Sequence, residues 1–445
     1  MTLRCCAGEE IDATDRNHGT WGGDAIWFGR GRAVGRVVSF PSRLAGEVPA
    51  FKVTEYVPKS YRKATKIMAR DIELAVAAAD FAVRDGRVAT RGMLETGGVK
   101  LLAEGYFKPD PVRVGCNIGS GLICADMDEL SAALIQARDA EGNFSLSKWG
   151  KSEDPAKNSG MDHLTPLWLL KYLPNMLASH VSIIHDIQGP SNTITCGQAS
   201  AGLALAEATR TIQRGHADLA LVGGGETKVH PMGLMRWTLL NRLNISSNDD
   251  VAHACLPMDQ RAGGAVLAEG AAVLIIEELE HAKKRGATIY AEVVGLGATS
   301  NGYAIADTDP TGEPLSVAMK KALRDAKVET DAVQMVVPPG YGIPSWDAAD
   351  AAAIKRVFGE KPRQAVVPLR GGIGDCGAGA QAIDLFGATM ALHSQTIPGN
   401  PRITTPLAGL NVPTQTESAA LEHVLIASTS LGGQNAAVLL KRYQA

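Results

Sequence analysis

With 445 residues, 45% apolar and 20% charged, the chain is long enough for two or three domains and has the composition of a globular protein, not a disordered one. A net charge of -3 gives no global electrostatic reason to expect nucleic acid. Seven cysteines without regular spacing make no disulfide framework, and the opening MTLRCCAGEE has no apolar signal core. No apolar run approaches the ~20 residues of a membrane helix, so the expectation is a reduced, cytoplasmic setting without membrane insertion. Cys5 and Cys6 lack the second Cys/His pair that a zinc site requires, so neither a metal nor a cofactor is expected.

From about residue 70 the pattern alternates between helices and buried strands. Apolar spacing predicts a helix over 71–83. The polar stretch 137–163, with scattered Gly, Ser and Pro, reads as a functional or partner-facing loop. An extended run, 191–196, ends at a glycine and turns into an Ala-rich helix over 199–215, followed by an all-apolar strand at 217–225. The Val-, Ile- and Leu-rich segment 263–279 lacks alternation, as strands covered on both faces do. Beyond a polar hinge near 280–290 come a helix at 313–326, a strand at 333–339 and a helix at 346–359 opened by Asp347. The succession predicts a divergent N-terminal segment (1–35) and two α/β halves, 36–280 and 281–445, each a sheet between helices.

The turn at TITCGQASAG, 193–202, holds a cysteine just before the helix and a glutamine at its head. Around it, motifs stand in a fixed order: NIGSGL (117–122), the Gly-Pro stretch leading into the elbow (172–208), LVGGGETKVHPMG (221–233) and PMDQRAGGAVLAEGAAVLIIEE (257–278). In these motifs, over about nine tenths of its length, the chain resembles the β-ketoacyl-acyl-carrier-protein synthases. The resemblance implies an α/β, thiolase-like layered αβαβα architecture built from two similar halves. The family's buried opening strand has no counterpart in residues 1–20, so that strand is expected to be altered or supplied differently.

In that family the nucleophilic cysteine stands nine residues after the glycine of the Gly-Pro, and counting from Gly189 reaches Gln198; Cys196 falls on the strand side of the turn. A carboxamide forms no thioester, but its carbonyl oxygen can lie against backbone N–H groups that would hold an oxyanion. The family's two histidine positions are matched by Pro339 and Asp375, its lysine by Arg370 and its gating aromatic by Leu431. A proline offers no side-chain donor and a carboxylate opposes developing negative charge, so the condensation machinery is missing from its places. Arg370 and Asp375 are expected to form a remnant ion pair, and His185 and His230 read as structural.

This pattern is similar to the chain-length factor, the non-condensing subunit that pairs with an active ketosynthase and shapes the acyl tunnel in fatty-acid or polyketide synthesis. The resemblance implies a heterodimer with that subunit, or a homodimer, and an acyl carrier protein as partner. The strand at 191–196 would pair across the dimer axis. Met161, Trp168, Leu169 and Leu170, upstream of that strand, are the candidate tunnel lining, with Leu431. Lys59, Arg62, Lys63 and Lys66 are the candidate carrier-docking residues, against the alternative of a solvated helix start. Two other readings stay open: a malonyl-carrier-protein decarboxylase with Gln for Cys, and a divergent ketosynthase using Cys196.

Overall fold

The computed structural model describes residues 2–4, 32–33, 40–150 and 159–444. The paired cysteines Cys5 and Cys6, most of segment 1–35 and residues 151–158 of the polar loop lie outside them.

The main path of the sheet is built from β1 (Thr2–Arg4), β2 (Val114–Ser120), β3 (Ser191–Ile194), β4 (Leu219–Thr227), β5 (Leu267–Glu277), β6 (Ala291–Ser300), β7 (Met335–Val337), β8 (Ala365–Val366), β9 (His423–Thr429) and β10 (Gln434–Arg442). Hydrogen-bonded neighbours run β8-β7-β9-β10-β6-β1-β5-β4-β2-β3, so each half contributes one side. The opening strand is present after all: β1 lies antiparallel between β5 and β6 and joins the two halves. Its three residues need no apolar run of their own, because both neighbours supply the ladder.

Period-2 alternation decides which layer each strand residue enters. In β4, Leu219 and Leu221 pack outward while Ala220 and Val222 pack inward; in β9, Leu425 and Ala427 go outward, Val424 and Ile426 inward. Both faces are therefore buried, which explains the unalternating apolar runs in the sequence.

The outer layer of the first half contains α1 (Arg70–Asp85) and α2 (Met176–His185). The shared inner layer is α3 (Ser200–Gln213) against α7 (Ala380–Ser394). The outer layer of the second half contains α5 (Glu313–Ala326) and α6 (Pro344–Phe358); α4 (Pro231–Leu239) lies beside the elbow region. The result is the thiolase-like order of helices, sheet, helices, sheet, helices. Close approach between layers depends on small residues: a Cβ on Gly297 of β6 would stand 2.0 Å from the Ala318 carbonyl oxygen of α5.

The predicted elements match in place, with one difference in how α6 begins. Asp347 does not open it: Pro344 is its first residue, and the buried Asp347 carboxylate turns back to accept the backbone N–H groups of Tyr341, Gly342 and Met258. Burial raises that carboxyl to about 6. Among the described residues no helix is long and apolar enough to cross a membrane.

Candidate functional site at the head of the inner helix

The site forms where β3 ends and α3 begins. Gly197 has φ +52° and a Cβ there would lie 3.1 Å from the Ser430 Cβ, so this turn requires a residue without a side chain. The Cys196 N–H donates to Ser200 Oγ at 2.8 Å, tying the end of the extended run to the first residue of α3. These constraints turn Gln198 inward, where it is 2% exposed.

Every polar atom of the Gln198 side chain has a partner. Nε2 donates to Asp375 Oδ2 at 2.9 Å, and Oε1 accepts from the Leu431 N–H at 3.4 Å. The main-chain oxygen of Gln198 accepts from Ser428 Oγ at 3.0 Å. Two candidate positions from the sequence, Gln198 and Asp375, are thus brought into direct contact, and the backbone of a third, Leu431, meets the same amide.

Asp375 is buried, and its backbone bridges to β5: its N–H donates to the Val266 oxygen and its own oxygen accepts from the Ala268 N–H, both at 2.8 Å. Its Oδ1 accepts the Gly377 N–H at 3.1 Å. Beside it, Glu226 accepts the Ala378 N–H at 2.7 Å and the Lys228 ammonium at 2.6 Å. The neighbouring carboxylates of Glu226 and Asp375 raise the Lys228 pKa against the opposing effect of burial.

The expected ion pair between Arg370 and Asp375 is not formed. Arg370 pairs with Asp384, through Nε at 3.0 Å and Nη2 at 2.8 Å, and Nη2 also reaches Ser428 Oγ at 3.1 Å. Asp375 is occupied by Gln198 and Gly377 instead, while α7 brings Asp384 up beside the guanidinium. The Arg370 guanidinium also sits 5.1 Å from the ring centroid of Tyr341, whose hydroxyl donates to the Thr429 oxygen. Burial raises the Asp384 carboxyl to about 6, with the guanidinium opposing that rise.

Pro339 is buried just beyond the end of β7. Leu431 is half-buried against a cluster of Leu234, Trp237, Tyr341 and Trp346. Cys196 is half-buried, and burial alone pushes its thiol pKa up. A thiol poised for attack needs the opposite shift.

The two histidines noted in the sequence hold structure. His230 Nδ1 accepts the Met232 N–H at 3.1 Å at the start of α4. His185 Nδ1 meets Thr90 Oγ1 at 2.8 Å, and burial lowers its pKa to about 4.

The candidate tunnel residues lie on a surface stretch. Met161 and Leu169 are 48% and 53% exposed, Trp168 and Leu170 are half-buried, and Leu122 and Leu167 are exposed with them. Lys59, Arg62, Lys63 and Lys66 lie along a 3-10 helix, Lys59–Ile67, without a buried residue, and none of the four forms an ion pair among the described residues. Arg70, next in that basic run, is withdrawn from it by Glu269 at 2.8 Å.

Sequence reasoning missed Asp384, Ser428, Tyr341 and Lys228. Asp384 left one visible signal: a lone acid in an otherwise apolar helix, and such a charge needs a buried partner.

The fold and site define a thiolase-like protein whose elbow is intact and whose helix head carries a buried carboxamide. Two family profiles match, "Beta-ketoacyl synthase, N-terminal domain" over residues 118–282 and "Beta-ketoacyl synthase, C-terminal domain" over 290–404. The chain is 30% identical over 321 residues to a 3-oxoacyl-[acyl-carrier-protein] synthase 2 of Coxiella burnetii, covering 71% of this chain and 77% of that protein. It is 29% identical to the synthase 2 of Staphylococcus aureus strain COL, covering 90% and 88%. Among solved structures, a β-ketoacyl synthase from Burkholderia phymatum superposes with a TM-score of 0.74 at 24% identity, covering 94% of this chain and 93% of that one. The ishigamide ketosynthase/chain length factor gives 0.74 at 22%, covering 100% and 98%. A type II polyketide ketosynthase in complex with its acyl-carrier protein, bound to the hexaketide, gives 0.73 at 24%, covering 91% and 89%. The chain belongs to the β-ketoacyl synthase family.

Proposed function

We propose that this chain is a non-condensing, chain-length-factor-type subunit that pairs with an active ketosynthase and walls its acyl tunnel. The observation that carries this reading is the 2.9 Å hydrogen bond from Gln198 to Asp375. Condensation needs a covalent acyl carrier and donors for the enolate formed as carbon dioxide leaves. Here the carrier's place holds an amide and one donor's place holds an acceptor-only carboxylate, while the other holds Pro339. Decarboxylation without condensation needs the same enolate donors, so this arrangement disfavours it as well.

The surface supports a partner. Among the described residues strand β3 ends the sheet with an unpaired edge, an arrangement that invites another strand. The apolar stretch containing Met161, Leu167 and Leu169 is open in the single chain and would become tunnel wall only against a second subunit. Lys59, Arg62, Lys63 and Lys66 give an acidic carrier protein a basic landing strip, consistent with the carrier complex solved for a structural relative.

The test is co-expression with an intact ketosynthase from the same genome. A stable 1:1 complex, whose product length changes when Leu431 or Leu169 is replaced by Phe, is the expected result. A chain that remains a homodimer and condenses acyl groups would overturn the proposal.

A further inference from the structure

We propose that Asp375 is a positioning residue for Gln198: it fixes which way the carboxamide faces, and through that amide it holds the 430–433 loop down on the elbow. The seat is then filled by the protein's own side chain. This adds a closing device to the reading above, and it is tested on the isolated chain, so the two fail separately.

The two ends of a carboxamide have nearly the same shape, so its surroundings decide the orientation. Both oxygens of Asp375 act as acceptors. Its Oδ1 already takes the Gly377 N–H, and Oδ2 faces Gln198 at 2.9 Å, so only the NH2 end of the amide can face it. That choice turns Oε1 toward the Leu431 N–H, 3.4 Å away. In the flipped orientation two acceptors would meet at Asp375 and two donors at Leu431, and both bonds would be lost.

The same glutamine also grips the end of β9, from which the loop leaves. Its main-chain oxygen accepts from Ser428 Oγ, which itself accepts from Arg370, and Arg370 is anchored by Asp384. One residue from the first half therefore ties down positions 428 and 431 of the second. Just after Leu431 the backbone turns tightly: Gly432 and Gly433 have φ +97° and +88°, and the Gly433 N–H donates to the Ser430 oxygen at 2.9 Å. Of the two ties, only the one to Leu431 depends on how the side chain is turned.

The experiment is amide hydrogen exchange on the purified chain, followed at Leu431, with Val438 in β10 as a control for global opening. Losing one hydrogen bond of about 1 kcal/mol corresponds to roughly fivefold faster exchange. Asp375→Ala and Gln198→Ala should each accelerate Leu431 by that order, and the double variant by no more than either, with Val438 unchanged. Gln198→Glu should also accelerate it, because two carboxylates then face each other.

The decisive variant is the swap Gln198→Glu with Asp375→Asn, which preserves shape. The introduced asparagine would present its NH2 to the introduced glutamate and its oxygen to the Gly377 N–H, and the glutamate would still accept from Leu431. Exchange at Leu431 should return to within about twofold of the wild-type rate. Wild-type exchange in Asp375→Ala, or a swap that fails to slow Leu431 relative to Gln198→Glu while Val438 stays protected, would overturn the proposal. Should Asp375→Ala fail to fold, the swap alone decides.

Discussion

Placing a thiol at position 198 tests whether the proposed non-condensing role rests on more than the residue at the helix head. In Gln198→Cys the new side chain would face the Asp375 carboxylate, which disfavours a thiolate, and Pro339 would still offer no donor. The expected outcome is at most slow acylation and no 3-oxoacyl product when the variant is given acyl- and malonyl-carrier protein, read by mass spectrometry. The arginine at 370 carries a different burden. Its side chain and that of Asp384 are 3% and 0% exposed, so Asp384→Ala leaves a buried cation unpaired. That should cost about 3–5 kcal/mol in denaturant unfolding. A loss below ~1 kcal/mol would show the pair to be peripheral. At this scale the spacing of short motifs singled out Gln198, Asp375 and Leu431, which the fold gathers around one amide. It could not show that Arg370 turns to Asp384, because a loop and a helix residue fourteen positions later are brought side by side only by the packing of α7.

Elements were legible where hydrophobic pattern alone decides them. The helix at Glu313–Ala326 and the apolar strands are examples, since both faces of each strand enter a core. Strand β1 was not, because its stability comes from the ladders of β5 and β6 and not from its own three residues. Neither was the inward turn of Asp347, since a carboxylate near a helix start looks the same whether it caps that helix or a loop behind it. The close seating of α5 on β6 gives a direct check. Gly297→Ala would push a methyl against the Ala318 carbonyl and should cost about 2–3 kcal/mol in thermal or denaturant unfolding.

Helix α2 carries a pH signature. His185 has a folded pKa of about 4 against an unfolded value near 6.5, so as pH falls between these the unfolded chain takes up a proton the folded chain refuses. Stability from this group is full above pH 6.5 and is lost on acidification. His185→Asn should reduce the stability difference between pH 7 and pH 4.5 by about 2–3 kcal/mol, measured by urea titration at both values. An unchanged difference would mean that the imidazole is not held neutral.

Across the whole molecule, the layered fold was legible and the surface only in part. The two-half architecture follows from alternation of elements, and the family from motif order. Which apolar residues stay uncovered was not, since exposure of Met161 and Leu169 depends on what the folded chain packs beside them. The basic face is testable here. Reversing Lys63 and Lys66 to Glu should weaken carrier-protein binding severalfold at low salt and less at high salt, while leaving stability within about 0.5 kcal/mol. Equal binding by wild type and variant would place the docking surface elsewhere.

The most direct measurement incubates the purified chain alone with acyl- and malonyl-carrier protein and follows both protein and product by mass spectrometry. On the proposed reading, with the Gln198 amide bonded to Asp375 at 2.9 Å, the expected result is an unmodified polypeptide and no 3-oxoacyl-carrier protein. An acyl adduct on Cys196, or chain extension by the isolated polypeptide, would contradict it.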